Sequence, residues 1–166
     1  MRVLGIDPGT AATGYGVVDA EGSRMRAVER GVITTPSRQP LEQRLAEIHA
    51  RVAELIGRLA PDSVALEDLY IGGNPRTVLS VGHARGAVLV ACGSAGLSTV
   101  GYPPAEVKSS VCGFGRADKL QVQRMVGAML AIDLSGDPDH ATDALGVAIC
   151  HAVRSAGAGR LQAAAR

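Results

Sequence analysis

Two short apolar runs constrain this chain more than any other feature. Val3-Leu4-Gly5-Ile6 ends on Asp7 and the turn residues Pro8-Gly9-Thr10, and Ser63-Val64-Ala65-Leu66 ends on Glu67. Short apolar runs bounded by turn formers read as buried strands. Between them, Leu41, Leu45, Ile48, Val52, Leu55, Ile56 and Leu59 fall on one helical stripe closed by Pro61. A strand, a helix and a strand in succession imply a crossover that lays both strands parallel in one sheet, with Asp7 and Glu67 at the same sheet edge. An ionised carboxylate at a buried strand end is costly unless its charge is compensated. The fold must therefore supply a compensator for Asp7.

After the first strand, TGYGVVDAEG and MRAVERGVITT read as two antiparallel strands turning at Glu21-Gly22. Beyond Glu67, RTVLSVGHARGAVLVACGSAG is a long helix rich in small residues, in which Gly82, Gly86 and Ala87 permit close approach of another element. LSTVGY is a short strand, PPAEVKSSV a helix opened by Pro104, and DKLQVQRMVGAML a helix capped by Asp118. A last helix starts near Pro138 and carries His140, Asp143, Ala144, Val147, Ala148 and His151. The end, SAGAGRLQAAAR, has no apolar stripe and is expected to fray. With no repeat and no linker in 166 residues, the expectation is one domain over 1–155 and a flexible tail over 156–166.

A formal net charge of +1 excludes a generally basic coating protein, so binding to a polyanion must come from local patches. No apolar stretch approaches the roughly 20 residues of a membrane span, and no basic segment followed by a long apolar one opens the chain. The expectation is a cytoplasmic protein without membrane contact. Cys92, Cys112 and Cys150 are odd in number, far apart and without paired metal spacing, which reads as buried free thiols.

Four candidate ligands converge: Asp7 and Glu67 from strand ends, and His140 and Asp143 from one face of the last helix, three residues apart. Crowded carboxylates repel one another, and a divalent cation bound through oxygens relieves the repulsion. Two such cations about 4 Å apart can activate a water and stabilise the leaving oxygen of a phosphodiester. Singly, each residue has a structural alternative: Asp7 in the Pro8-Gly9 turn, Glu67 as an exposed strand end, Asp143 in a first helical turn. Together with the topology they point to metal-dependent phosphoryl transfer.

GIDPGTAATGYGVV, ALEDLY, GHARGAV, PAEVKSSVCGFGRADKLQVQRMV and DHATDALGVAI, in that order and spacing, resemble the RuvC family of Holliday-junction resolvases, from about Val3 to about His151. The resemblance implies an α/β ribonuclease-H-like fold, a mixed five-stranded sheet flanked by helices on both faces, in a homodimer. It also implies symmetric paired nicking of a four-way DNA junction in recombination and repair, with two Mg²⁺ per subunit for which Mn²⁺ can substitute. Carried over residue by residue, the family's acidic cluster falls on Asp7, Glu67 and Asp143, with the fourth position at His140. Many relatives have Asp there and others His. Asp139, four residues before Asp143, is an alternative for that position and is read as a helix-start acid.

By the same resemblance, Lys108 and Lys119 match lysines that touch DNA phosphates, Arg116 and Arg124 lie near them in sequence, and Tyr70 matches a loop aromatic that stacks on a base at the junction. A branch-migration motor of the RuvA–RuvB type is the implied partner. The helix from Arg76 to Gly93, with Leu79, Gly82, Gly86 and Val90 near its centre, is the candidate dimer interface. Three rivals stand beside this reading. An actin-like ATPase shares the DPGT-like turn but needs a second domain; the others are a ribonuclease-H-like nuclease acting on RNA and a non-catalytic junction-binding scaffold.

Overall fold

The computed structural model describes residues 1–69 and 74–164, with side chains through residue 157. In chain order the elements are β1 (Arg2–Asp7), β2 (Ala12–Glu21), β3 (Arg24–Thr34), α1 (Leu41–Leu59), β4 (Ser63–Glu67), α2 (Pro75–Ser94), β5 (Thr99–Tyr102), α3 (Pro104–Cys112), α4 (Lys119–Leu130) and α5 (Asp139–Ala164). The strands form one mixed sheet in the order β3-β2-β1-β4-β5. β1, β2 and β3 make the expected antiparallel meander, with Gly22 in the left-handed region at the hairpin. β4 runs parallel to β1, with Leu66 opposite Ile6, and β5 runs parallel to β4. Asp7 and Glu67 therefore end adjacent strands on the same side of the sheet.

Successive side chains of a strand alternate between faces, and here both faces are covered. Val3, Val18 and Ala65 join a core with α3, α4 and α5, whereas Leu4, Ile6, Val17, Val64 and Leu66 join a second core with α1 and α2. Burial on both faces explains why β1 is apolar without alternating.

α5 lies against backbone. A Cβ at Gly5 would overlap the Ala144 carbonyl oxygen, one at Gly14 the carbonyl oxygen of His140, and one at Gly16 the side chain of Leu145. Gly5 pairs with Gly16, and Gly14 with Asp7, so the three glycines form one continuous trough across β1 and β2. The first turns of α5 sit in that trough, which carries His140 and Asp143 to the end of β1.

The structure departs from the sequence expectation at a few places. Leu41, placed on the buried stripe of α1, is exposed because no element covers the first turn; burial begins at Ile48, with Leu45 partly buried. The helix itself ends at Leu59 as the sequence places it, with Ala60 in a left-handed conformation before Pro61 and its N–H donating to the Ile56 carbonyl. Cys92 and Cys150 are buried free thiols as expected, but Cys112 at the end of α3 is partly exposed. α5 continues as helix to Ala164, in keeping with the helix propensity of its alanines. No helix among the described residues is long and apolar enough to cross a membrane.

The trough makes a stability test. Gly5→Ala should cost about 1–3 kcal/mol or more in urea unfolding, as overpacking against rigid backbone does. Gly57→Ala in α1, where nothing lies within 4 Å of the added carbon, should gain about 0.5–1 kcal/mol. A Gly5→Ala protein as stable as its parent would remove the trough as the seat of α5.

Candidate active site

Ile6 and Leu66 face the core under α1 and α2, so the next residues, Asp7 and Glu67, face the side on which α5 begins. Nδ1–H of His140 donates to Oδ2 of Asp7 at 2.6 Å. The Glu67 carboxyl is pushed up to about 8, first by burial and then by the charges of Asp7 and Asp143. Burial also raises Asp143; Lys119 pulls against that shift and Asp7 adds to it. The structure thus brings Asp7, Glu67, His140 and Asp143 into one cluster in which not every carboxyl can comfortably ionise.

Two cavities meet at Glu67. One, of about 260 Å³, places Lys108 and Lys119 beside Glu67 and Asp143, with Val107 and Val122 as apolar wall. The other, of about 330 Å³, holds Asp7 and His140 with Pro8 and Gly9, against Thr77, Val78 and Val81 of α2. Lys119 Nζ lies 3.0 Å from Asp139 and 3.5 Å from Asp143. Burial alone would lower its pKa, but these two carboxylates outweigh it and raise the value.

The helix start resolves the neighbouring acids by direction. His140 turns to Asp7, Asp139 turns outward to Lys119, and Asp137 is held by Arg30 of β3. Lys108 and Lys119 border the carboxylates as the sequence reading placed them. Arg116 is exposed on the loop before α4. Arg124 does not join this rim. It lines a separate groove with Gly127 and Leu134, because α4 buries Val122, Val126 and Leu130 and carries residue 124 away from the cavity. Tyr70, with Gly72 and Gly73, lies outside the described residues.

Two contributors were missed from sequence. Arg85 of α2 donates to the carbonyl of Glu67 at 2.8 Å and pairs with Asp68 at 2.8 Å, fixing the end of β4. Ser80 of α2 shares a hydrogen bond with Thr10 at 2.5 Å and ties down the turn after Asp7. Asp139, the helix-start acid of the sequence reading, is the second partner of Lys119. An arginine set among small residues in GHARGAV was the available signal for the first of these.

The donor set is three carboxyls and an imidazole, which suits a hard divalent cation. Among the described residues no three such groups stand in ligating geometry together. Asp7 and Asp143 instead hold internal partners, His140 and Lys119, which a cation would have to replace or share. An acidic cluster beside a lysine rim is the chemistry of phosphodiester hydrolysis.

Comparison with known proteins agrees. The family model for crossover junction endodeoxyribonuclease RuvC matches residues 3–151. The RuvC of Moorella thermoacetica is 49% identical over 152 residues, covering 92% of this chain and 91% of the relative. That of Chloroflexus aggregans is 47% identical, with 92% and 93% covered. Among solved structures, Thermus thermophilus RuvC in complex with Holliday junction substrate superposes with a TM-score of 0.91 at 37% identity, covering 95% of this chain and 96% of the other. The chain has the ribonuclease-H-like fold of these proteins and belongs to the RuvC family of crossover junction endodeoxyribonucleases, metal-dependent nucleases that resolve Holliday junctions.

Proposed function

We propose that Asp7, Glu67, Asp143 and His140 hold two Mg²⁺ ions per subunit, with Mn²⁺ able to substitute, and that a homodimer of this chain nicks opposed strands of a four-way DNA junction symmetrically. The observation that carries the reading is the Glu67 carboxyl, pushed up to about 8 by burial and by its acidic neighbours. Such mutual repulsion is what bound cations relieve, so the donor set fits them.

When bound, the cations supply an activated water and charge stabilisation at the leaving oxygen. The protein's own groups do the rest. With Nδ1–H committed to Asp7, the lone pair that His140 can offer is on Nε2, and the hydrogen bond fixes the ring for it. Lys108 and Lys119 hold strand phosphates at the cavity mouth, Lys119 exchanging Asp143 and Asp139 for a phosphate as DNA enters. Arg116 extends this rim, and Tyr70 is assigned to base stacking by resemblance alone. A related protein, Thermus thermophilus RuvC, takes a Holliday junction as substrate, which supports the same substrate here.

A two-fold dimer presents two equivalent sites to two equivalent cutting points. The face of α2 supports this assembly: Leu79 and Val90 are exposed, and nothing lies within 4 Å of where a Cβ at Gly86 would point. A branch-migration motor of the RuvA–RuvB type would deliver the junction. A decayed scaffold is disfavoured because every proposed ligand position carries a capable donor, and an RNA-cutting enzyme would keep that cluster without needing Lys108, Lys119 and the exposed face of α2 together.

Incubation with a labelled mobile four-way junction in Mg²⁺, Mn²⁺ or EDTA tests the reading directly. Paired symmetric nicks should require metal, and Asp7→Asn should abolish them while leaving junction binding largely intact. Loss of binding would make Asp7 structural instead.

The raised Glu67 carboxyl gives a pH dependence of definite sign. The folded protein holds that proton up to about 8, against an ordinary value of 4.5. Its contribution to stability is therefore fully present below 4.5 and lost as pH rises through about 8. In EDTA, Glu67→Gln, which removes the titrating carboxyl at the same size, should flatten stability across that window. Cation binding must expel the same proton, so cutting at subsaturating Mg²⁺ should rise between about pH 6.5 and 8.5. A flat profile in both measurements would argue against a crowded carboxyl.

Gly86→Arg should shift the sedimenting species from dimer to monomer. A variant that sediments as the parent dimer would place the interface elsewhere.

A further inference from the structure

Phe114 is the single phenylalanine of the chain, and it stands 49% exposed on the loop between α3 and α4. The other described aromatics are engaged internally, Tyr15 with Glu29 and Tyr102 with His151. The loop itself is firmly held. Gly113 takes a left-handed φ of 82° and donates to the Ser109 carbonyl. Gly115 packs on α3 so closely that a Cβ would stand 3.0 Å from the Ala105 carbonyl oxygen and 3.3 Å from Ser109 Oγ. Ala117 is buried in the core, and Asp118 and Gln121 form a reciprocal cap on α4. Anchored at these points, the loop holds Phe114 and Arg116 outward.

One exposed apolar residue is ordinary on its own. The surroundings give this one a direction. The two helices that the loop joins supply Lys108 and Lys119, the cations that border Glu67 and Asp143, and Arg116 lies between Phe114 and Lys119. Five residues span at most about 18 Å, and a DNA strand rises about 3.4 Å per nucleotide. Phe114 and Lys119 are therefore separated by no more than the length of about five nucleotides of strand, so one bound strand can span both. A cationic rim with an aromatic platform is the chemistry that holds an unpaired or distorted strand: phosphates on the cations, a base face on the ring.

We propose that Phe114 stacks on a nucleobase of the junction beside the strand being cut, as a positioning contact additional to the lysines. This rests on the junction-cutting reading above.

The absence of tryptophan from the chain makes the test direct. Phe114→Trp introduces a single indole whose emission reports its own neighbours. Titrated with a four-way junction in EDTA, where binding occurs without cutting, its emission should be quenched to saturation by base contact. Phe114→Ala and Phe114→Leu should both weaken junction binding by about tenfold, since a stacked base is lost in each. Circular dichroism of each variant checks the fold.

An unchanged emission at saturating junction would overturn the proposal, as would a leucine variant that binds like the parent. An alanine variant of undiminished junction affinity would also overturn it and leave the ring free for a protein partner. Should the parent protein itself fail to bind or cut junctions, the reading beneath the proposal fails, a separate result from any of these.

Discussion

The seating of α5 on bare backbone is the contact on which both the core and the site depend. Gly5, Gly14 and Gly16 leave the sheet without side chains where the helix crosses, so Ala144, Leu145 and Ala148 pack directly onto β1 and β2. The same contact brings His140 to Asp7 and Asp143 to Glu67. Interiors are close-packed and tolerate little displacement, so the helix has one resting place and its first turn has one position. The pairing of Asp7 with Gly14 matters for that reason: the strand beside the carboxylate has no side chain to hold the helix off.

The charge of Asp7, which the sequence left in need of a compensator, is met inside the protein by the imidazole of His140. Asp143 is met by Lys119, and Glu67, between the two, keeps its proton up to about 8. The arrangement divides one surplus of negative charge three ways: a hydrogen bond, an ion pair and a suppressed ionisation. Each of the three is reversible, so the cluster can be folded and acidic at once without keeping three bare carboxylates together.

Much of this was legible in the sequence because it rests on local pattern. Apolar runs ending in Asp7 and Glu67 mark strand ends, and the α1 stripe between them makes the strands parallel neighbours. Three-residue spacing puts His140 and Asp143 on one face, and in the structure His140 turns to Asp7 while Asp139 turns to Lys119. What escaped depends on distant partners. Gly5 reads as a small strand residue until its pairing with Gly16 and its overlap with Ala144 are seen. Arg85 reads as a helix charge until its bond to the Glu67 carbonyl is seen. Arg124 follows Lys119 by five residues, yet the buried stripe of α4 turns it to another groove, and Leu41 completes a stripe whose first turn nothing covers.

A helix resting on main chain has no side-chain cushion, and this bears on how such a site can change. Where elements meet through side chains, a pocket widens or narrows in small steps, a methyl at a time. Here the smallest possible step, one carbon on Gly5, already exceeds the space available. The spacing between Asp7 and Glu67 on the sheet and His140 and Asp143 on the helix is therefore inherited from backbone geometry. What can still change step by step is the side chain presented at a given point, as at His140 on the first turn of α5, while the spacing between sheet and helix stays fixed.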